Sequence, residues 1–163
     1  MPAADATVHV RRATRADLPA LGRLGAYLMR VHYAFDSRRF IEPVGNPEAG
    51  YAQFLGSQLD VDEATVLVAE RAGAVVGYVY AAIEPLSWKD LRDTAGFIHD
   101  IVVEETSRRS GIAHALMDAA LAWVHAQGVA NVMLGTAAKN EGAQRLFEQL
   151  GFRPTMIEMT RDA

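Results

Sequence analysis

Residues Glu104 to Ala113 read EETSRRSGIA, and they join an apolar run, Phe97 to Val103, to a segment whose apolar residues recur at helical spacing. A turn between a strand and a helix directs unpaired backbone N–H groups at one point, where the helix dipole adds positive potential. We therefore expect this turn to bind an anion. Gly111 lacks a side chain and lets a phosphate group approach the backbone, and the small Ala113 keeps the first helical turn clear.

Three polar side chains of the turn suit the same role. Arg108 and Arg109 offer charge-assisted hydrogen bonds to phosphate oxygens, and Ser110 offers a hydroxyl. The two arginines fit an ordinary solvated surface equally well. The sequence contains neither a G-x-x-x-x-G-K-S/T loop nor a G-x-G-x-x-G motif after an N-terminal strand, which argues against a nucleotide triphosphatase and a dinucleotide-dependent enzyme.

The segments after the turn indicate helix, strand, helix and strand. Apolar residues at helical spacing follow Ser110, and Gly128 suits the end of that helix. Asn140 is suited to cap the next helix, and Gly151 is suited to end it. The two strands that we predict here are Val129 to Leu134 and Phe152 to Met159.

The segments before the turn indicate a strand, two helices and a hairpin. The predicted elements are a strand from Val8 to Arg12, a helix from a Thr14 and Asp17 capping box to about Met29, a helix from Pro47 to Leu59, and strands Thr65 to Glu70 and Val75 to Ile83 around an Ala72-Gly73 turn. The segment between the helices, Val31 to Gly45, carries aromatic and charged side chains. It fits a loop over a ligand, and a solvated connection equally well. This order predicts a mixed α/β sheet.

Composition limits the functional class. The chain has 163 residues, half of them apolar, and we expect residues 1–163 to form a single domain. A net charge of −4 leaves no basic surface for a nucleic-acid partner. The absence of cysteine excludes a disulfide framework, a thiolate metal site and a cysteine acyl-enzyme, and we expect no metal site.

Two further features bear on location. Met1 to Thr7 lack the charged and then apolar pattern of a signal peptide, and the longest apolar stretch, Ala74 to Ile83, is too short to span a bilayer. We expect a soluble, cytoplasmic protein without a membrane partner.

Two motifs resemble those of the GNAT superfamily of acyl-CoA-dependent N-acetyltransferases. The pyrophosphate signature R/Q-x-x-G-x-G/A is matched by Arg108, Gly111 and Ala113. A downstream pattern, N-x-x-A-x-x-L-Y-x-x-x-G-F, is matched except at its tyrosine. The matching positions are Asn140, Ala143, Leu146, Gly151 and Phe152, with Phe147 in the place of the tyrosine.

The resemblance implies a fold and a co-substrate. The fold is a central mixed sheet, mostly antiparallel, splayed at the cofactor site and flanked by helices on both faces. The co-substrate is acetyl-CoA, with its pantetheine arm between the splayed strands and its pyrophosphate on the turn. The residues implied in binding it are Ile101, Val102, Val103, Arg108, Arg109, Ser110, Gly111, Ile112, Ala113 and Asn140. Asn140 fits a plain helix cap equally well.

An amine must lose a proton to attack a thioester, because an amine with a pKa of about 10.4 is almost fully protonated near neutral pH. The candidate bases are His99 and Asp100, polar residues within an apolar strand, and Glu84 at the end of the neighbouring strand. Strict alternation would place His99 on the face of Phe97 and Asp100 on the opposite face. Some amine acetyltransferases of the superfamily look similar at Asp100, which we favour slightly, and His99 has the more suitable intrinsic pKa.

The superfamily commonly has a tyrosine at the position of Phe147, where it protonates the leaving thiolate. Phe147 falls on the apolar face of its helix, so its default role is packing. Water or another hydroxyl, such as that of Tyr33, Tyr78 or Tyr80, would then replace the missing acid.

Two functions follow from these observations. The first is an N-acetyltransferase that moves acetyl from acetyl-CoA to a primary amine by direct attack in a ternary complex. The second is a catalytically silent acyl-CoA-binding module. The sequence leaves open whether the acceptor is a small-molecule amine or a peptide amine. It also leaves open whether the protein forms a homodimer. Acidic residues that suit a cationic amine, or an ordinary surface, are Asp36, Glu42, Glu48, Asp60, Asp62 and Glu63.

Overall fold

The computed structural model describes residues 7–163. Met1 to Ala6 therefore lie outside the described residues. They make up most of the segment in which we found no signal-peptide pattern. The strands of the described chain are β1 His9–Arg12, β2 Ala64–Arg71, β3 Ala74–Glu84, β4 Ala95–Val103 and β5 Val132–Leu134. Its α-helices are α1 Leu18–Phe35, α2 Pro47–Gln58, α3 Ile112–Ala126 and α4 Glu141–Gln149. The predicted mixed α/β class is therefore confirmed.

The sheet is open and its strands lie in the order β1-β2-β3-β4-β5. The first three pairings are antiparallel and only β5 is parallel to its neighbour, β4. The predicted hairpin turn is present between β2 and β3, where Ala72 has φ 51° and Gly73 has φ 78°. These left-handed angles are those of the tight turn that matches the twist of two antiparallel strands.

Strands β4 and β5 are paired over a short distance only. The parallel ladder runs from Gly96 opposite Val132 to Ile98 opposite Leu134 and stops there. Strand β4 continues for five more residues to Val103. The predicted splay of the sheet thus begins beyond Ile98 and leaves one edge of β4 open.

Helices cover both faces of the sheet, as expected. Helices α1 and α2 pack on the face that includes Tyr78 and Val102, through Leu21, Leu24 and Leu55. The opposite face includes Val79 and Ile98. It packs against Ile112, Leu116 and Met117 of α3 and Phe147 of α4. Side chains packed on both faces hold β4 between them, so the side chains of β4 have fixed directions.

Strand β4 does not follow strict alternation. Tyr80 is opposite Asp100 and Ala81 is opposite Ile98, so His99 is an extra residue in a β-bulge. Ile98 packs toward α3, whereas Asp100 lies on the other face, where it bonds to Tyr51 of α2. The ring of His99 stacks on Tyr80, the residue opposite Asp100, so His99 lies on the face of Asp100. The predicted division of His99 and Asp100 between opposite faces is therefore wrong.

The first helix is longer than predicted. Its entry is as expected, since the Thr14 N–H donates to the Asp17 carboxylate at 2.8 Å. A 3-10 turn follows, and α1 then continues past Met29 to Phe35. The first third of the segment predicted as a loop over a ligand, Val31 to Phe35, is therefore helix. The side-chain Nδ1 of His32 lies 2.9 Å from the Leu28 carbonyl, one turn earlier in the same helix.

The strand predicted from Phe152 to Met159 is absent, and β5 is shorter than the predicted Val129 to Leu134. The Phe152 N–H donates to the Phe147 carbonyl at 2.9 Å and so completes the end of α4. Pro154 has no N–H for a ladder, which removes one of the hydrogen bonds that a strand needs. The segment after it is exposed instead. Within residues 7–163, none of the helices combines the length and apolar character that crossing a membrane requires.

Candidate active site

The turn between β4 and α3 has the backbone of an anion site. Arg109 has φ 59° and Gly111 has φ 78°, two left-handed residues that curve the chain around one point. The N–H groups from Arg109 to Ala113 have no hydrogen-bond partner among residues 7–163. A Cβ added to Gly111 would meet no atom within 4 Å, so open space lies beside the turn at this residue. This arrangement is suited to binding an anion such as a phosphate group.

The side chains of the turn differ in availability. Arg108 donates to the Tyr27 hydroxyl at 2.7 Å and lies 5.6 Å from that ring, so α1 holds it in place. The Ser110 hydroxyl donates to the Ser107 carbonyl at 2.6 Å. Arg109 is exposed. Ile112 buries its side chain under the sheet, so only its N–H is directed at the turn.

The open edge of β4 presents backbone groups that fit an amide-containing ligand. The Glu104 N–H donates to the Val76 carbonyl of β3 at 2.8 Å. Because successive residues of a strand point their polar groups to opposite edges, those of Val102 point to β3 and those of Ile101 and Val103 point to the open edge. The Val102 side chain is buried against α1 and α2. Ile101 and Val103 therefore supply the free groups, and Val102 supports them.

Asn140 is the N-cap of α4, where its Oδ1 accepts the Ala143 N–H at 3.1 Å. The helix-cap reading is therefore confirmed. The residue also lines the cavity described next, and its side-chain amide group has no protein partner in the described part of the chain. A ligand contact at the same residue is compatible with its capping role.

A cavity of about 350 Å³ begins where β4 and β5 part. Its inner wall comes from the bulge of β4 and from the ends of β5 and α4, including Ile101, Leu134 and Phe147. Its outer wall comes from the end of α1 and the segment after it, including His32 and Phe40. The turn between β4 and α3 does not line this cavity. The open edge of β4 leads from one to the other, so a long thin ligand can reach both.

Asp100 lies on the wall of the cavity and is bound by two tyrosines. Its Oδ2 accepts the Tyr51 hydroxyl at 2.9 Å and the Tyr78 hydroxyl at 3.0 Å. Burial raises the pKa of the Asp100 carboxyl, and the two hydroxyl donors offset part of that rise. Burial and the Asp100 charge together raise the pKa of Tyr51 far above its ordinary value, so this hydroxyl keeps its proton. Asp100 is thus a carboxylate of increased basicity that faces the cavity.

His99 and Glu84 form a second polar group near the cavity. The His99 Nε2 lies 2.9 Å from the Glu84 carboxylate. The ring of His99 stacks on Tyr80 with centroids 5.0 Å apart and on Phe97 with centroids 5.6 Å apart. His99 and Asp100 both line the cavity. Glu84 does not line the cavity, but its carboxylate contacts His99. The structure thus brings the three candidate bases close together.

Tyr51 reaches Asp100 because α1 and α2 approach closely at Gly25. A Cβ at Gly25 would lie 2.0 Å from Cδ1 of Tyr51. We expect Gly25→Ala to lower the free energy of unfolding by about 1 to 3 kcal/mol, because the Tyr51 ring must shift. Gly50→Ala in α2 is the matched control. Its Cβ meets nothing within 4 Å, and helix propensity favours alanine there by up to about 1 kcal/mol. Denaturant unfolding of both variants checks this difference, and equal effects would contradict the close approach.

Phe147 is part of the core and also borders the cavity. Its exposed fraction is 6%, and its ring packs edge to face on Phe152 with centroids 6.0 Å apart. Of the hydroxyls considered in its place, that of Tyr78 is bonded to Asp100 and that of Tyr80 to Gln58 at 3.1 Å. Tyr33 lies within α1 and does not line the cavity. Packing is therefore confirmed as a role of Phe147.

Sequence analysis missed Tyr51, whose link to Asp100 spans 49 positions and leaves no local signal. Leu134 at the end of β5 was missed as well, together with Gly135 and Thr136 directly after it. The aromatic and charged character of Val31 to Gly45 was a usable signal, since His32, Arg39 and Phe40 of this segment line the cavity. Among the described residues, none of the six acidic side chains considered for a cationic amine does so.

The chain is similar to known proteins in both sequence and fold. It is 33% identical over 98 residues to mycothiol acetyltransferase of Thermobispora bispora, which covers 60% of this chain and 33% of that protein. The alignment thus spans about a third of that relative's length. A tetramutant of the BH1408 protein from Bacillus halodurans has a TM-score of 0.80 at 24% identity, with 95% of this chain and 99% of that chain covered. An aminoglycoside N-acetyltransferase in complex with CoA has a TM-score of 0.74 at 19% identity, with coverages of 100% and 98%.

At these identities the two solved structures show the fold alone. The family model described as "Acetyltransferase (GNAT) family" matches residues 31–152, which include the end of α1, the bulge of β4, the turn between β4 and α3, and α4. The match therefore covers most of the chain and both sequence motifs. The chain belongs to the GNAT family of acetyltransferases.

Proposed function

We propose that this protein is an N-acetyltransferase that moves acetyl from acetyl-CoA to a primary amine by direct attack in a ternary complex. The observation that carries the proposal is one cavity whose lining includes both Asp100 and Ile101, a residue of the unpaired part of β4. One wall is suited to the thioester end of the co-substrate and the other is suited to an amine. Both reactants therefore fit the cavity together, as direct transfer requires.

The residues of the turn and of β4 have separate roles in this proposal. The free N–H groups from Arg109 to Ala113, with Arg108 and Ser110 beside them, hold the pyrophosphate. The polar backbone groups of Ile101 and Val103 hold the pantetheine arm, and Asn140 adds a side-chain contact. Acetyl-CoA supplies an acetyl group activated as a thioester. A new C–N bond forms as the C–S bond breaks, and the amine proton passes to a base while the thiol leaves.

Asp100 is the base that we propose, with His99 and its partner Glu84 as the alternative. Asp100 lines the cavity directly, and its raised pKa makes it a better proton acceptor than an ordinary carboxylate. Tyr51 and Tyr78 fix its orientation from two elements. His99 is turned toward Glu84 by their 2.9 Å contact, which suits a supporting role.

The leaving thiol needs little help from the protein. A thiol pKa near 8.5, by analogy with cysteine, makes the thiolate a tolerable leaving group near neutral pH. Water in the cavity is then sufficient as an acid, and an aromatic side chain at Phe147 is compatible with turnover.

Phe147→Tyr tests this interpretation. We expect the wild type to be active and the variant to be equally active or faster, since a new hydroxyl facing the thiolate adds at most about 1.5 to 3 kcal/mol. The rate of thiol release measures the effect. Phe152→Tyr is the matched control, because Phe152 packs on Phe147 but does not line the cavity. A silent wild type that the Phe147 change activates would favour the acyl-CoA-binding module instead.

Initial-rate kinetics test the ternary complex. Acetyl-CoA is varied at several fixed concentrations of the amine, and the reciprocal plots are compared. Lines that intersect are expected, because both reactants must be bound before acetyl moves. Parallel lines would indicate a covalent acetyl-enzyme and would contradict direct attack.

A further inference from the structure

The cavity has a single cationic side chain of lysine or arginine type among the described residues, and it lies on the outer wall. Arg39 follows α1, and its guanidinium lies 4.9 Å from the centroid of the Phe40 ring. Phe40 in turn packs edge to face on His32, with centroids 4.9 Å apart. The arginine is thus supported by an aromatic neighbour, which limits the positions that its guanidinium adopts.

Arg39 is already bound to a carboxylate, that of Glu158. Its Nε donates to one oxygen of Glu158, and its Nη2 donates to the other at 3.0 Å. Two parallel hydrogen bonds to both oxygens are the geometry by which arginine recognises carboxylates. Glu158 belongs to the exposed segment after α4, and its side chain is 63% exposed. Such exposed pairs contribute little to stability, so a ligand is able to take the place of Glu158.

The rest of the cavity lining is largely apolar. Leu28, Met29 and Ile41 contribute to it together with Phe40 and Tyr51. An acceptor in this space meets an anion at the sheet, a cation on the outer wall and apolar side chains in the remaining lining. Molecules that complement all three features carry an amine, a carboxylate and an apolar body.

We propose that the acceptor is a small amino acid with an apolar side chain, whose carboxylate replaces Glu158 on Arg39 while its amine faces Asp100. This inference rests on the proposed acetyltransferase function. Glu158 acts as an internal competitor that occupies Arg39 until the acceptor arrives. Arg39 is therefore a specificity-determining residue, and Glu158 weakens the binding of the acceptor.

The test compares amines that differ only in the carboxylate. Leucine and methionine are compared with leucinamide and methioninamide, and 1,4-diaminobutane serves as an amine with no carboxylate. Thiol release from acetyl-CoA gives kcat and KM, and calorimetry in the presence of CoA gives the affinity for leucine and leucinamide. Every variant is assayed with the same amines. The ratio of kcat/KM for leucine to kcat/KM for leucinamide is then compared between variants, and this comparison cancels the effect of amine basicity.

We expect Arg39→Gln to lower kcat/KM for leucine by about 10-fold to 100-fold, mainly through KM, and to leave leucinamide nearly unchanged. The neighbouring Arg38 is the matched control, since it pairs with Asp162 of the same exposed segment but does not line the cavity. Arg38→Gln should change neither value. Glu158→Gln should lower KM for leucine without changing KM for leucinamide, and Asp162→Asn should have no such effect.

Several results would overturn the inference. Equal use of leucine and leucinamide by the wild type would do so, as would a preference that survives Arg39→Gln. Turnover of 1,4-diaminobutane without turnover of either amino acid would overturn it while leaving the proposed function intact. A Glu158→Gln effect of equal size on all amines would show that Glu158 only restrains the exposed segment. Absence of thiol release with every amine would instead contradict the proposed function itself.

Discussion

Gly111→Val should lower the affinity for acetyl-CoA by at least about 100-fold. Gly111 has φ 78°, a conformation that a β-branched residue adopts only with strain. The added side chain would also enter the open space beside the turn, where we propose that the pyrophosphate approaches the backbone. Loss of two charge-assisted hydrogen bonds, at about 1.5 to 3 kcal/mol each, is enough for an effect of this size. Calorimetric titration of acetyl-CoA measures it.

Gly128→Val is the matched control for this substitution. Gly128 follows the other end of α3, has φ 76°, and a Cβ there also meets nothing within 4 Å. Both variants should therefore lose similar stability through backbone strain, and only the first should lose affinity for the co-substrate. A folded Gly111→Val protein that binds acetyl-CoA as tightly as the wild type would remove the turn from the binding site.

Asp100→Asn should lower kcat by about 100-fold or more, because a positioned general base commonly contributes about 10²-fold to 10⁴-fold. Asparagine keeps an oxygen that accepts the hydroxyls of Tyr51 and Tyr78, so the local packing should persist. The co-substrate contacts lie on the turn and on the open edge of β4, and the affinity for acetyl-CoA should therefore change little. Thiol release under saturating acetyl-CoA measures the effect.

The pH dependence of the same variant has a definite sign. The pKa of Asp100 is raised, so the wild type should lose activity as the pH falls through that raised value and the base takes up a proton. The amine becomes free only near its own pKa, which is about 10.4 for a lysine-like amine and lower for an α-amino group. The deficit of Asp100→Asn should thus be largest between these two values, and it should shrink at high pH, where free amine no longer needs a base.

Variants of the neighbouring polar pair complete the comparison. His99→Gln and Glu84→Gln should each lower kcat less than Asp100→Asn does, because these two substitutions alter only the surroundings of the Asp100 carboxylate. A wild-type pH profile in Asp100→Asn, together with a large loss in His99→Gln, would assign the base to His99. Asp100 would then serve only to bind the tyrosine hydroxyls.

Features that depend on neighbouring residues could be predicted from the sequence. The Ala72-Gly73 turn, the Asn140 cap and the strand-to-helix turn at Gly111 each follow from residues within a few positions of one another. Backbone preferences act over that range, so residue type and spacing are informative. The order of elements followed from the same local signals, with the exception of the last strand.

Features that depend on distant pairing could not be predicted. The bulge at His99 exists because of the register between β3 and β4, and it reverses the side-chain directions that alternation alone predicts. Tyr51 reaches Asp100 only because Gly25 lets two helices approach. The contact of Arg39 with Glu158 joins residues 119 positions apart. Residue type alone therefore indicated the candidate base, Asp100. Its hydrogen-bond partners and the residues of the outer wall could be recognised only from the fold.

The most direct measurement is thiol release from acetyl-CoA by the wild-type protein with a panel of amines, with the N-acetylated amine quantified by mass spectrometry in the same samples. We expect at least one amine to give thiol and acetylated product in equal amounts, with both signals absent when the amine is omitted. A folded protein that binds acetyl-CoA, yet releases no thiol with any amine, would contradict the assignment as an acetyltransferase and would identify it as a binding module.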